Sequence, residues 1–384
     1  MPRNDNSFDM SRRAFSLTAA GFVGVGSTSV VRARGSPPPA DGLKATADSP
    51  LPAEAIEGLR QQFVARHDLD EEYVVLANDP VPESGKVVAY AITMKDGSPF
   101  EYYKELPEWV DQPTAKSKVD QAHRRVDEIR QRAQSNVAGA FGSPAAARRT
   151  SASATSDGGA VSWERSYQLE NETHRDRSVY YDDDNAPEWC GDIEGDNYLL
   201  SVPESDQDEW AVDFQVDVWP QVNENDEEND WDTDSSWKNW DTWVSTNWDE
   251  SDFPLEDVVD MAPVRERKEE LDYSIQFTAS NSVGGGVTID PQSPYIKVDP
   301  ENSRDEYVRT NYQYPYDCCK SIGRYEHCVL GQDSVAILNF DEGGPYGSSI
   351  VGCDVEHTFQ YVERDDHYDA QTGEINIGWD IRQT

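Results

Sequence analysis

The sequence predicts a small α+β unit near the N-terminus, followed by a mainly-β, antiparallel, sandwich-like region that forms most of the chain. Three observations predict it. Val212, Phe214, Val216 and Val218 alternate with Asp213, Gln215 and Asp217, the period of a strand with one apolar and one wet face. The same alternation returns at Tyr273, Ile275, Phe277 and Ala279, at Val351, Cys353, Val355, His357, Phe359 and Tyr361, and at Ile375, Ile377, Trp379 and Ile381. Helical spacing is concentrated earlier, where Val119, Ala122, Val126 and Ile129 recur at intervals of three and four, one face of an α-helix.

The α+β unit spans 53–135. Ile56, Leu59 and Phe63 share a helical face, Tyr73–Ala77 and Val87–Met94 have strand composition, and Asp96-Gly97 is a turn signal ahead of Phe100–Tyr103. The closing helix carries Lys116, Lys118, Arg124, Arg125, Arg130 and Arg132 on its second face. That face is either solvated or docked on acidic surface of the following region. Residues 136–160 form a linker, with Ser, Ala, Gly and Thr filling Gly142 to Ala160 around Arg148-Arg149, a composition that is flexible and open to proteolysis. The β region is 161–384. Leu271, Val335 and Ile337 belong to further strands, and Gly284-Gly285-Gly286 and Asp341–Gly344 interrupt them. Each apolar strand face must meet another, because burial is what offsets the entropy of ordering the chain.

The net charge is −41, from 74 acidic against 33 basic residues. In dilute buffer such a chain repels itself. At molar salt the screening length is about 3 Å and the repulsion is largely removed. A disordered acidic chain would share this charge, but 36% hydrophobic and 10% aromatic residues supply a core that disorder lacks. Nucleic acid is not an expected partner, since phosphate binding needs clustered Lys and Arg.

Ser11-Arg12-Arg13-Ala14-Phe15-Ser16-Leu17 resembles the twin-arginine export motif, with Ser16 where the motif usually has Leu. Residues 14–31 are uncharged and rich in Gly, Ser and Thr, and Val31-Arg32-Ala33 suits signal cleavage after Ala33. Residues 1–33 thus read as a signal peptide, and 34–52, with Pro37, Pro38, Pro39, Pro50 and Pro52, as an extended tether. No later stretch is long and apolar enough to span a bilayer, so the chain is expected to be soluble, with no membrane span after signal removal. With its acidic surface and cysteine-bearing β region, the chain is similar to the secreted proteins of haloarchaea. That resemblance implies export by the twin-arginine pathway and work outside the cell; its motif covers residues 11–33 only.

Candidate sites follow from residue chemistry. Asp230, Asp232, Asp234 and Asp241 stand at positions 1, 3, 5 and 12 of a calcium loop, with Ser235 in place of the usual Gly and Asp in place of the final Glu. Calcium is therefore the one candidate cofactor, and no motif demands another. Trp237, Trp240 and Trp243 offer either a stacking platform for a polysaccharide or cell-surface ligand, or core packing. Cys190, Cys318, Cys319, Cys328 and Cys353 are disulfide candidates in an exported chain, their spacing fitting no common zinc site. His357 and His367, flanked by acids, are the candidates for a hydrolytic base, although no Gly-x-Ser-x-Gly elbow or His-Glu-x-x-His motif is present. The leading functional reading is a non-enzymatic extracellular binding or surface-interaction protein. Beside it stand a secreted toxin of the halocin kind, held inactive by 53–135 as a pro-region, and an extracellular hydrolase. The oligomeric state is not encoded in any motif.

Overall fold

The computed structural model describes residues 41–67, 73–78, 81–82, 85–95, 97–139, 150–151, 166–182, 187–201, 208–221, 236–262, 297–300, 307–314, 328–340, 347–363 and 366–383. The export motif, Asp230, Asp232 and Asp234, Cys318 and Cys319, and the alternating stretch 271–279 lie outside them.

The elements run β1 (Asp41–Lys44), α1 (Ala53–His67), β2 (Tyr73–Ala77), β3 (Gly85–Lys95), β4 (Ser98–Pro107) and α2 (Gln112–Gly139). They continue with β5 (Thr150–Ser151), β6 (Ser166–Tyr181), β7 (Glu188–Ser201), β8 (Asp208–Pro220), β9 (Ser236–Asn247) and β10 (Leu255–Ala262). β11 (Lys297–Pro300), β12 (Tyr307–Gln313), β13 (Cys328–Leu338), β14 (Ser349–Glu363) and β15 (Asp366–Gln383) complete the chain. The fold is mainly β. No described helix is long and apolar enough to cross a membrane.

Local chemistry places the two helices. Glu54 in the first turn of α1 and Arg66 and His67 in its last oppose the helix dipole at both ends. Asp111 caps α2, its Oδ1 accepting from the Thr114 amide at 3.0 Å. Between β3 and β4 only two residues separate the paired Lys95 and Ser98, and Gly97 takes φ +103° there, a conformation that a side chain disfavours.

One sheet has the order β1-β3-β4-β6-β7-β8-β13-β10, with β5 against β6; the other has the order β11-β12-β9-β14-β15-β2. The described pairings are antiparallel except β4–β6, which is parallel. The two sheets face each other over a shared core in which Val212, Phe214, Val216 and Val218 of β8 meet Val355, Phe359, Ile375, Ile377 and Trp379 of β14 and β15. Two glycines let them approach. A Cβ on Gly191 would lie 2.5 Å from the Phe359 ring and from the Trp219 carbonyl, and one on Gly373 would collide with Val179.

Both sheets run across the sequence boundary near residue 140. Phe100–Glu105 pairs with Glu172–Arg177, and Tyr73–Ala77 pairs with Trp379–Gln383. The N-terminal unit is thereby built onto one end of the β body by main-chain hydrogen bonds.

Candidate functional site

The tryptophans do not form one platform. Trp237 is buried among Tyr181 and Tyr361, Trp240 is exposed, and Trp243 carries Arg309 with its guanidinium carbon 3.9 Å from the ring centroid. The cause is a bulge. Thr358 and Phe359 pair with Asp241 and Asn239, so the register with β14 skips Trp240 and the residues facing the core change from Trp237 and Asn239 to Thr242 and Val244. Asp241 is half-buried on this strand. Among the described residues no group of three or more His, Cys, Asp or Glu side chains is placed to hold a metal ion.

Cys190 and Cys353 are buried free thiols rather than disulfide partners. Burial pushes both thiols up, and the Cys353 thiol lies 3.9 Å from Thr246 Oγ1. Cys328 opens β13, but its side chain lies outside the described set, as does that of His367. His357 is sealed inside the sandwich, its Nδ1 2.7 Å from Thr242 Oγ1. Burial pushes it down to about 3, so it is neutral at working pH and faces no solvent.

The concentrated chemistry lies instead where the N-terminal unit joins the body. Lys104 of β4 is buried between Asp176 of β6 and Asp192 of β7, the latter at 3.4 Å. Burial alone would drive the ammonium toward neutrality, but the two aspartates outweigh it and raise the pKa. Lys118 of α2 also bonds Asp192 and sits 3.4 Å from the centroid of the Trp189 ring. Burial would lift the Asp192 carboxyl, and the two lysines hold it below its ordinary value. One cation of the basic helix face is therefore docked on the body, whereas Lys116, Arg125 and Arg132 pair with acids of their own helix.

A second run of charge crosses the same join. Arg175 of β6 donates from Nη1 to Glu105 at 2.8 Å and stacks 4.5 Å from the Tyr103 ring. The Tyr103 hydroxyl donates to Glu101 at 2.9 Å. Glu101 also accepts from Arg60 Nε at 2.9 Å, from the Tyr90 hydroxyl at 2.8 Å and from the Ala77 amide at 2.7 Å. Burial would raise the Glu101 pKa, but Arg60 and these donors hold it low. Beside this run, His174 stacks on Tyr102 and bonds Asp196 at 2.5 Å, with Glu194 at 3.9 Å. Burial would lower His174, yet Asp196 and its neighbours push it up to about 9. The only sequence sign of this network is the placing of Glu101, Lys104 and Glu105 within the otherwise aromatic strand Phe100–Leu106.

No family model matches the chain, and no curated protein sequence does. Among solved structures it is similar to Clostridium perfringens delta-toxin at 9% identity and a TM-score of 0.27, over 58% of this chain and 95% of that one. It is also similar to a structure titled pore forming protein at 5% identity and a TM-score of 0.24, over 59% of this chain and 94% of that one.

Proposed function

We propose that the chain is an exported, non-enzymatic toxin of a salt-adapted cell, and that it breaches a target membrane with a β-hairpin. The connection from β10 to β11 carries this reading. These strands end the two sheets on the same side of the body, because β13 and β12 lie against each other through Gln332 Nε2 and Thr310 Oγ1 at 3.0 Å. In the joining sequence Leu271, Tyr273, Ile275, Phe277 and Ala279 alternate with Asp272, Ser274, Gln276, Thr278 and Ser280. Beyond Gly284–Gly286, Val287 and Ile289 alternate with Thr288 and Asp290. Paired as strands, such a segment has one lipid-compatible face and one wet face. A run of about nine tilted residues spans the hydrocarbon layer.

Two placements favour this reading over the alternatives. The surface-binding reading relied on three tryptophans of which Trp237 is buried and Trp240 exposed, and the hydrolase reading on His357, sealed in the core, and His367, whose side chain lies outside the described residues. The test is release of a trapped dye from lipid vesicles in molar KCl. Wild type releases dye, Phe277→Asp does not, and Thr278→Asp, on the wet side of the alternation, still does. Equal release by Phe277→Asp and wild type, at matched circular dichroism, would sink the hairpin.

A further inference from the structure

The β body alone consists of two five-stranded sheets, β6-β7-β8-β13-β10 and β15-β14-β9-β12-β11. At one end β10 and β11 carry no further strand among the described residues. At the other end β6 and β15 sit together, the Trp379 indole donating to Asn171 at 3.0 Å, and residues 41–139 cover both edges, β4 on β6 and β2 on β15, while β5 pairs with the first residues of β6. This covering unit has apolar clusters of its own. Among the described residues, Tyr180 of the body is buried in these clusters with Trp189 packed against them, and Val75 of the unit is buried in the body core with Tyr73 packed against it. Beyond the two strand pairings, the side chains across the join are matched by opposite charge: Lys95 on Glu172, Lys104 on Asp176 and Asp192, Lys118 on Asp192, Glu105 on Arg175, and Glu57 on Arg382.

We propose that residues 41–139 are a displaceable cap on two strand edges, and that the surface they cover is an interface for a second copy of this chain. A join made of charge pairs suits separation, because each side rehydrates its ions when parted, whereas two apolar faces would not tolerate exposure. Once bared, the β6 and β15 edges are templates for strand addition. The β10 and β11 edges at the far end of another copy, which carry no further strand among the described residues, are the matching partner. Such end-to-end pairing is heterologous, so it propagates until it closes. The sequence between cap and body is the Ser/Ala/Gly stretch 142–160 with Arg148-Arg149, where a single cut would free the cap.

The experiment uses the full chain in molar KCl with a specific protease site placed within 142–160, read by size-exclusion chromatography with light scattering. The uncut chain runs as one copy. After cutting, the 41–139 fragment elutes separately and the remainder gains mass as a multimer. Tyr73 and Gln383 face each other across β2 and β15, so Tyr73→Cys with Gln383→Cys, once oxidised, keeps the cut chain at one copy until a reductant is added. Three results overturn the proposal. The freed body could remain folded as one copy, or lose its strand signal in circular dichroism. Alternatively, the cut fragment could stay bound even when Lys104→Glu and Lys118→Glu reverse the join. The readout is mass without lipid, so its failure is distinct from failure of the membrane reading.

Discussion

Asp213 of β8 stands directly opposite Asp333 of β13, and their side chains are hydrogen-bonded to each other on the sheet face away from the shared core. Two close carboxyl groups cannot both ionise cheaply, so they share a proton. Burial pushes Asp213 up to about 7 against the lowering hydrogen bonds of Asp333 and Gln215, and burial with the Asp213 charge raises Asp333 as well.

The pH consequence has a definite sign. A carboxyl group raised in the folded state holds protons that the unfolded chain has already released. Stability therefore falls as pH rises from about 4 through the folded value near 7. Glu194, pushed up to about 7, and Asp354, pushed up to about 6, act in the same direction. Urea unfolding in molar KCl is expected to show a loss of roughly 2 kcal/mol between pH 5 and pH 8. Asp333→Asn should flatten much of that slope, and an unchanged slope would remove the shared proton from the account.

His174 gives a separate signal. Its folded value of about 9 lies above the ordinary imidazole range, so its contribution is complete below about pH 6.5 and is lost as pH rises through 9. An imidazole NMR titration should follow one histidine to an apparent pKa near 9, and Asp196→Asn should move it down by at least one unit. A midpoint below 7 for His174 in the folded protein would contradict the assignment.

Arg60 and Glu101 are both fully buried. Glu101→Gln leaves the guanidinium without its counter-charge and is expected to cost about 3–5 kcal/mol. The double change Arg60→Met with Glu101→Leu removes both ions and should recover part of that loss, measured by thermal unfolding in molar salt. A single change costing under about 1 kcal/mol, the scale of an exposed pair, would refute the buried-pair reading.

Gly191 and Gly58 make a matched pair. Gly191→Ala drives a methyl group into Phe359 and the Trp219 carbonyl and is expected to cost at least about 1–3 kcal/mol, as overpacking does. Gly58 lies within α1 with nothing near its Cβ position, so Gly58→Ala should stabilise by about 0.5–1 kcal/mol. Differential scanning calorimetry of the two variants checks both signs. Equal effects would mean that the sheets are not in close contact at Gly191.

Much of the body was legible because alternation reports which side chains must leave water. Val212–Val218, Val351–Tyr361 and Ile375–Ile381 lie in described strands, and their alternate residues enter one core. The helix face of Val119, Ala122, Val126 and Ile129 is buried as its spacing implies. The sequence left the placing of Trp237, Trp240 and Trp243 open for a specific reason. A register shift at Trp240 in β9 reverses which face is inward, and nothing local in the sequence marks that residue.

By itself the sequence determined which segments have an apolar face and at what period, because that depends only on neighbours a few residues apart. The tertiary structure decided which segments meet: β4 beside β6 in parallel, and β2 beside β15 some 300 residues later. Strand edges offer the same amide and carbonyl groups whatever their side chains, so pairing is chosen by the whole chain's packing. The same packing brought Lys104, Arg175 and Asp192 together in a buried join, since a charge can leave water only where a partner from a distant segment awaits it.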